Sequence, residues 1–199
     1  MTMTELVAGR PVHPSEGVLP GDRDVWLFIM AELMMFGAFF IAYVVYRQAE
    51  IDVFDAGQDT LNRSLGVLNT LFLITSSWAV VRAVEAGRAA RSAEVVSRLT
   101  LALLLAAGFV VVKYFEYSAK FAAGIDLTTN TFYGFYFALT MIHLAHVLGG
   151  SVILFVVRHN AQRGAYHPQA MKGLETGASY WHMVDLLWIF LFALLYLLR

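Results

Sequence analysis

A chain of 199 residues that is 59% hydrophobic and 15% charged departs from soluble globular usage, in which about a quarter of residues are charged, so bilayer rules replace core-burial rules. The formal net charge of −1 argues against a nucleic-acid partner. There is no cysteine, which removes disulfide frameworks, thiolate metal sites and iron–sulfur clusters from consideration.

Residues 1–22 carry Pro11, Pro14 and Pro20 among scattered charges. No apolar run with a small-residue cleavage site follows, so this reads as a flexible N-terminal segment and the first span as retained. Spanning helices need roughly 20 mostly apolar residues. The sequence predicts five, in a single all-α transmembrane domain over 23–199. The first covers about 24–47 and is uncharged between Asp24 and Arg47 except for Glu32. The second, about 64–84, carries Thr75, Ser76 and Ser77, which are expected to bond back to the preceding turn. The third, about 95–118, has a charge-free run only from Leu99 to Val112, so Lys113 and Glu116 are expected near an interface or facing protein. The fourth, about 131–158, contains His143 and His146, with Gly149 and Gly150 permitting close approach of another helix or a lipid chain. The fifth, about 177–198, carries His182 and Asp185 on one face.

The connections are short: acidic over 48–62, basic over 85–94, and basic with Pro168 over 159–173. Short links favour an up-and-down bundle of antiparallel neighbours. Arg82, Arg88, Arg91, Arg98, Arg158, Arg163 and Lys172 fall on one side together with Arg10 and Arg23. On the other side, Arg47, Arg63, Lys113, Lys120 and Arg199 are diluted by Glu50, Asp52, Asp55 and Asp59. The N-terminus is therefore expected inside and the C-terminus outside. Trp26, Tyr43, Tyr46, Tyr114, Tyr117 and Tyr196 lie near span ends, as an interfacial aromatic belt would.

Within the spans the expensive groups are Glu32, His143, His146, His182 and Asp185. At about 1.5 Å per residue, all five fall in a band around the inner half and middle of the bilayer. The economical arrangement is one polar cluster, or two, shared among the first, fourth and fifth spans. Hydrogen-bonded glue between helices, contacts with lipid headgroups, and a metal, haem or proton-conducting site all remain open from the residues alone. "HLAH" offers imidazoles at i and i+3, a spacing that ligates zinc only if a third ligand comes from another helix. There is no nucleotide loop and no nucleophile–base pair, so the chain is not expected to be an enzyme on its own.

Four stretches, in order, resemble one family. "AELMMFGAFFIAY" resembles the glutamate-bearing helix of cytochrome c oxidase subunit III, "YFEYSAKF" its Glu-Tyr helix end, "MIHLAHVLGG" its His-x-x-His-Val helix, and "ETGASYWHMVDLLWIFLFALLY" its C-terminal helix. The chain lacks the first two helices of the mitochondrial form and resembles five-helix bacterial members. "LPGDRDVWLFIMAEL", "LGVLNTLFLITSSW", "FAAGIDLTTNTF" and "GLETGASYWHMVDLLW" resemble the nitric oxide reductase accessory (NorE) branch. The resemblance implies a bacterial inner-membrane, multi-pass accessory subunit without redox centres. Haem and copper or iron would lie in a catalytic partner of a haem-copper oxidase or nitric oxide reductase. This chain would stabilise that partner and hold phospholipid in a cleft between the first two spans and the other three. Glu32 and Asp185 match the family's intramembrane carboxylates, His143 and His146 its His pair, Glu116 its Glu-Tyr, and Glu175 and His182 its last helix. Arg158 approximates a family basic residue and, with Lys172, is a candidate for headgroup contact; Lys113 stands where members often have a neutral polar residue. The alternative, from a different class, is a stand-alone transporter or channel using the Glu32, His and Asp185 cluster.

Overall fold

The computed structural model describes residues 20–198. It contains α1 (Arg23–Ala49), α2 (Ile51–Asp59), α3 (Arg63–Arg88), α4 (Ser92–Ala122), α5 (Thr131–Gln162) and α6 (Lys172–Phe192), the last running into a π-helical turn, Ala193–Leu197. Five of these helices are long and apolar enough to cross a membrane, α6 together with its π turn counting as one. Most of the expected 1–22 segment lies outside the described residues.

Local chemistry starts the helices where the sequence places them. Asp22 caps α1 by accepting from the Asp24 N–H, Asn62 caps α3 through the Leu65 N–H, and Asn130 caps α5 through the Tyr133 N–H. Gly124 and Gly164, with φ of 73° and 72°, follow the ends of α4 and α5 and supply left-handed positions that side chains resist.

Around these ends the spans pack as a four-helix core. α3 lies against α4 and α6, α4 against α5, and α5 against α6, while α1 leans on α6 and α5 from outside. Cross-helix bonds fix the directions. Asp22 N–H to Thr176 Oγ1 and Tyr43 Oη–H to the Leu194 carbonyl run α1 parallel to α6. Ser77 with His182 and Trp188 with Thr70 run α3 antiparallel to α6. α6 buries ten of its 21 residues, whereas α1 buries only Ile29, Phe36 and Tyr43. The first two spans therefore do not form a unit set against the other three. The open space is instead a groove between α1 and α3, floored by α6.

Three sequence expectations are corrected here. The 48–62 connection contains α2, whose Phe54, Gly57 and Gln58 are buried; Gly57 is required because the Phe132 ring of α5 occupies the space a Cβ would fill. In the second span, Ser76 and Ser77 bond across helices rather than back along their own. The Ser76 hydroxyl donates to the Ala102 carbonyl of α4 and accepts from the Trp181 indole. Of the residues assigned to an aromatic belt, Tyr43, Tyr117 and Tyr196 are buried, because each hydroxyl finds a protein partner inside the bundle.

The close approach of α5 and α6 depends on Gly150, where an added Cβ would meet the Trp181 ring at 2.9 Å. Trp181 is fully buried and tied to Ser76, so the ring cannot yield cheaply. Gly150→Ala is expected to destabilise the bundle by about 1–3 kcal/mol, seen as a lower thermal midpoint in detergent. Gly149→Ala, one position away with its nearest neighbour at 3.6 Å, is expected to be near neutral.

Candidate functional site

The five intramembrane polar residues singled out from sequence do lie near one level. The offsets of the α1–α6 bonds, Asp22 to Thr176 and Tyr43 to Leu194, bring Glu32 level with the turn that holds Asp185. They do not form one cluster. Three residues advance a helix by about 300°, so His143 and His146 look some 60° apart from α5 into different surroundings.

His146 faces α1. Its Nε2 lies 3.1 Å from Glu32 Oε2, and its Nδ1 is 2.8 Å from the Ile142 carbonyl. A carbonyl only accepts, so Nδ1 is the nitrogen placed to donate to Ile142, while the approach of Nε2 to Glu32 Oε2 is a close contact in which that oxygen makes no hydrogen bond of good geometry. His143 faces the core, fully buried between the rings of Phe109 and Trp188, with neither ring nitrogen hydrogen-bonded to protein. His182 Nδ1 is 2.7 Å from the Ser77 hydroxyl, on the floor of the groove. Asp185 is buried one turn further on, with the Ser77 hydroxyl as its near polar neighbour, although neither carboxyl oxygen makes a hydrogen bond of good geometry. The His182–Ser77 contact ties α6 to α3. Among the described residues, no three His, Cys, Asp or Glu side chains stand as a metal-binding group.

A second polar centre, toward the other end of the spans, is the more completely bonded one. Lys113 of α4 is fully buried, with Nζ 2.9 Å from Glu116 Oε2 and 3.1 Å from the Tyr196 hydroxyl. Tyr196 closes the triangle by donating to Glu116 Oε1 at 2.6 Å. The rings of Tyr117, Tyr136, Trp188 and Tyr196 surround the ammonium at 4.9–5.7 Å, within cation–π range. The π turn delivers Tyr196 to this site. It also exposes the Leu194 carbonyl, which accepts from Tyr43 and from Gln58 Nε2 at 3.1 and 2.9 Å. Lys120 donates to the Thr60 carbonyl and hydroxyl, joining α4 to the end of α2. The spacing of Lys113 and Glu116 on one face was visible in the sequence; the part played by Tyr196, 80 residues from Glu116, was not.

At the opposite ends, ion pairs bind the groove's mouth. Arg88 meets Glu175 at 2.9 Å and Lys172 meets Asp22 at 2.6 Å; the Lys172 ammonium holds the Asp22 carboxyl below the usual carboxylate range. Arg158 donates to Thr100 at 2.6 Å, joining α5 to α4. The groove floor continues past His182 and Ser179 into two adjoining apolar cavities of about 270 and 390 Å³. Val81, Val84 and Ala178 line one; Trp26, Ile29 and Leu33 line the other.

The family model described as cytochrome c oxidase subunit III matches residues 16–199. The chain is 33% identical to cytochrome c oxidase subunit 3 of Synechocystis sp., over 87% of its own length and 74% of the relative's. It is 30% identical to cytochrome c oxidase subunit 3 of Thermostichus vulcanus, over 94% and 89%. Cytochrome bo(3) ubiquinol oxidase subunit 3 of Pseudomonas putida is 26% identical, over 87% and 83%.

The buried triad makes a specific demand on mutants. Lys113→Met leaves Glu116 as an unpaired buried carboxylate and is expected to destabilise by about 3–5 kcal/mol. Lys113→Met combined with Glu116→Leu removes both charges and is expected to recover much of that loss. Thermal unfolding of the single and double variants in the same detergent checks it; equal damage in both would show that the pair is not coupled.

Proposed function

The chain belongs to the cytochrome c oxidase subunit III family, and from that membership we propose that it is a non-catalytic, integral-membrane accessory subunit of a haem-copper oxidase-type respiratory complex. The observation that carries this reading is the match over residues 16–199, which takes in all five apolar spans. Haem and copper or iron belong, in this reading, to the catalytic subunit, whose membrane-embedded body this chain stabilises. The motifs "LPGDRDVWLFIMAEL" and "FAAGIDLTTNTF" favour service in a nitric oxide reductase system, the NorE branch.

Phospholipid is the proposed ligand of the groove between α1 and α3. An apolar floor suited to an acyl chain runs from the helix ends toward mid-membrane, and the mouth carries Arg88, Glu85 and Glu175, with Lys172 close by. A basic residue near an anionic headgroup adds about 1 kcal/mol of attraction. Lys172, paired with Asp22 but largely exposed at the mouth, is better placed for this than Arg158, whose guanidinium is held between α5 and α4 by Thr100. The helix ends near this mouth also carry Arg82, Arg91 and Arg98, which favours the cytoplasmic side of a bacterial inner membrane, with the N-terminus inside and the C-terminus outside.

Purification in a mild detergent tests the central claim: a tagged chain should bring down a large haem-bearing subunit with a Soret band absent from the isolated chain. A chain that stays alone and transports ions in liposomes would overturn it in favour of the channel reading. Orientation is tested separately. The protein has no native thiol. Asp52→Cys, on exposed α2, is expected to react with an impermeant maleimide in intact, outer-membrane-permeabilised cells, and Ala89→Cys only after lysis. The reverse pattern would invert the topology.

A further inference from the structure

The Glu32–His146 contact sits in the seam between α1 and α5, and unlike the Lys113 centre it is not enclosed. The two side chains remain 15% and 14% exposed on the outer surface of the bundle. Ionisable groups at this depth normally face the bundle interior or a water-filled cavity, because hydrocarbon offers nothing to the remaining lone pairs. Along the same seam lies a cavity of about 620 Å³, lined by Phe39 and Tyr46 of α1 and by Gly134, Phe135 and Ala138 of α5. Glu32 and Phe39 are seven residues apart, so the open polar contact and the cavity are stacked about 10 Å apart along one line. The α4 side of the bundle differs: its outward residues Leu101, Leu104 and Val111 present only hydrocarbon. The groove over α6 differs too, since charged pairs guard its mouth, whereas the seam's outer end is rimmed by the uncharged Thr128, Asn130 and Thr131.

We infer that the α1–α5 seam is the docking face for a transmembrane helix of the catalytic subunit, which sets a hydrogen-bond donor against Glu32 and a large apolar side chain into the cavity above it. The inference rests on the accessory-subunit reading and adds to it which face meets the partner. The Glu32 carboxyl approaches His146 without completing a hydrogen bond through Oε2, so it has lone pairs to spare, and a Ser, Tyr, His or Arg donor from the partner satisfies them where lipid cannot. The glycine and alanine on the α5 side of the cavity let a second helix approach closely. The two anchoring side chains of the partner should stand about 10 Å apart along its axis, roughly seven helical residues.

Site-specific photo-crosslinking in native membranes tests this. A benzophenone amino acid is placed at Ala138 or Ala145 in the seam, and at Leu104 or Val111 on the α4 face. Ala145, Leu104 and Val111 are exposed and Ala138 lines the cavity, so the bulky probe does not enter the core. The expected result is a crosslink to the haem-bearing chain from the seam positions, several-fold stronger than from the α4 face. If the partner co-purifies but crosslinks only from Leu104 or Val111, the seam is the wrong face. The inference also falls if the seam positions capture only lipid while the partner is present. If no haem-bearing chain co-purifies at all, the accessory-subunit reading itself has failed, and this inference with it.

Discussion

Water is absent from the hydrocarbon layer, so polar groups on these helices gain most from partners within the protein. That constraint explains more of this bundle than apolar packing does, because hydrocarbon chains solvate leucine as well as another helix does. The helices are joined by a set of polar ties: Ser76 to Ala102 and Trp181, Ser77 to His182, Thr70 to Trp188, Tyr117 to Thr140, and the Lys113–Glu116–Tyr196 triangle. α6 takes part in most of them. It packs against α1, α3 and α5, and its indoles reach polar groups on α3 that no apolar side chain would hold.

The π turn follows from the same constraint. A regular helix through Ala193–Leu197 would keep its carbonyls for its own ladder. The wider turn exposes the Leu194 carbonyl to Tyr43 and Gln58 and aims Tyr196 at Lys113. One local irregularity thus joins α1, α2, α4 and α6 at a single end of the molecule. The opposite end is held by surface ion pairs, Arg88–Glu175 and Lys172–Asp22, which are weaker in water than an enclosed triad in a dry interior. The groove opens at that end, between α1 and α3.

Hydropathy alone made the five spans legible, since runs of this length and composition have few alternatives, and the caps Asp22, Asn62 and Asn130 mark where three of them begin. α2 was hidden because nine residues with three acids carry no spanning signal; its helix depends on Phe54 and Gly57 fitting against α5. The common depth of Glu32, His146 and Asp185 was also readable, because depth follows from residue counts along a helix. Their lateral grouping was not. The sequence shows which residues share a helix face but not which helix each face meets, and so His143 and His146, three residues apart, separate into an aromatic core and an outer seam.

The costly groups in these spans are not held alike. The Lys113 triad is closed by side chains of this chain and needs nothing further. His143 is buried with neither ring nitrogen hydrogen-bonded to protein, and Asp185 is buried with the Ser77 hydroxyl as its near polar neighbour. Only Glu32 with His146 and, in the groove, His182 reach the surface of the spans. A subunit that works by association must present its unfinished polar chemistry where another molecule can complete it. Two open places of this kind are found among the described residues: a groove whose mouth carries ion pairs, and a seam whose rim is uncharged. The asymmetry between them follows from one packing fact, that α1 rests on α6 and α5 but leaves α3 free.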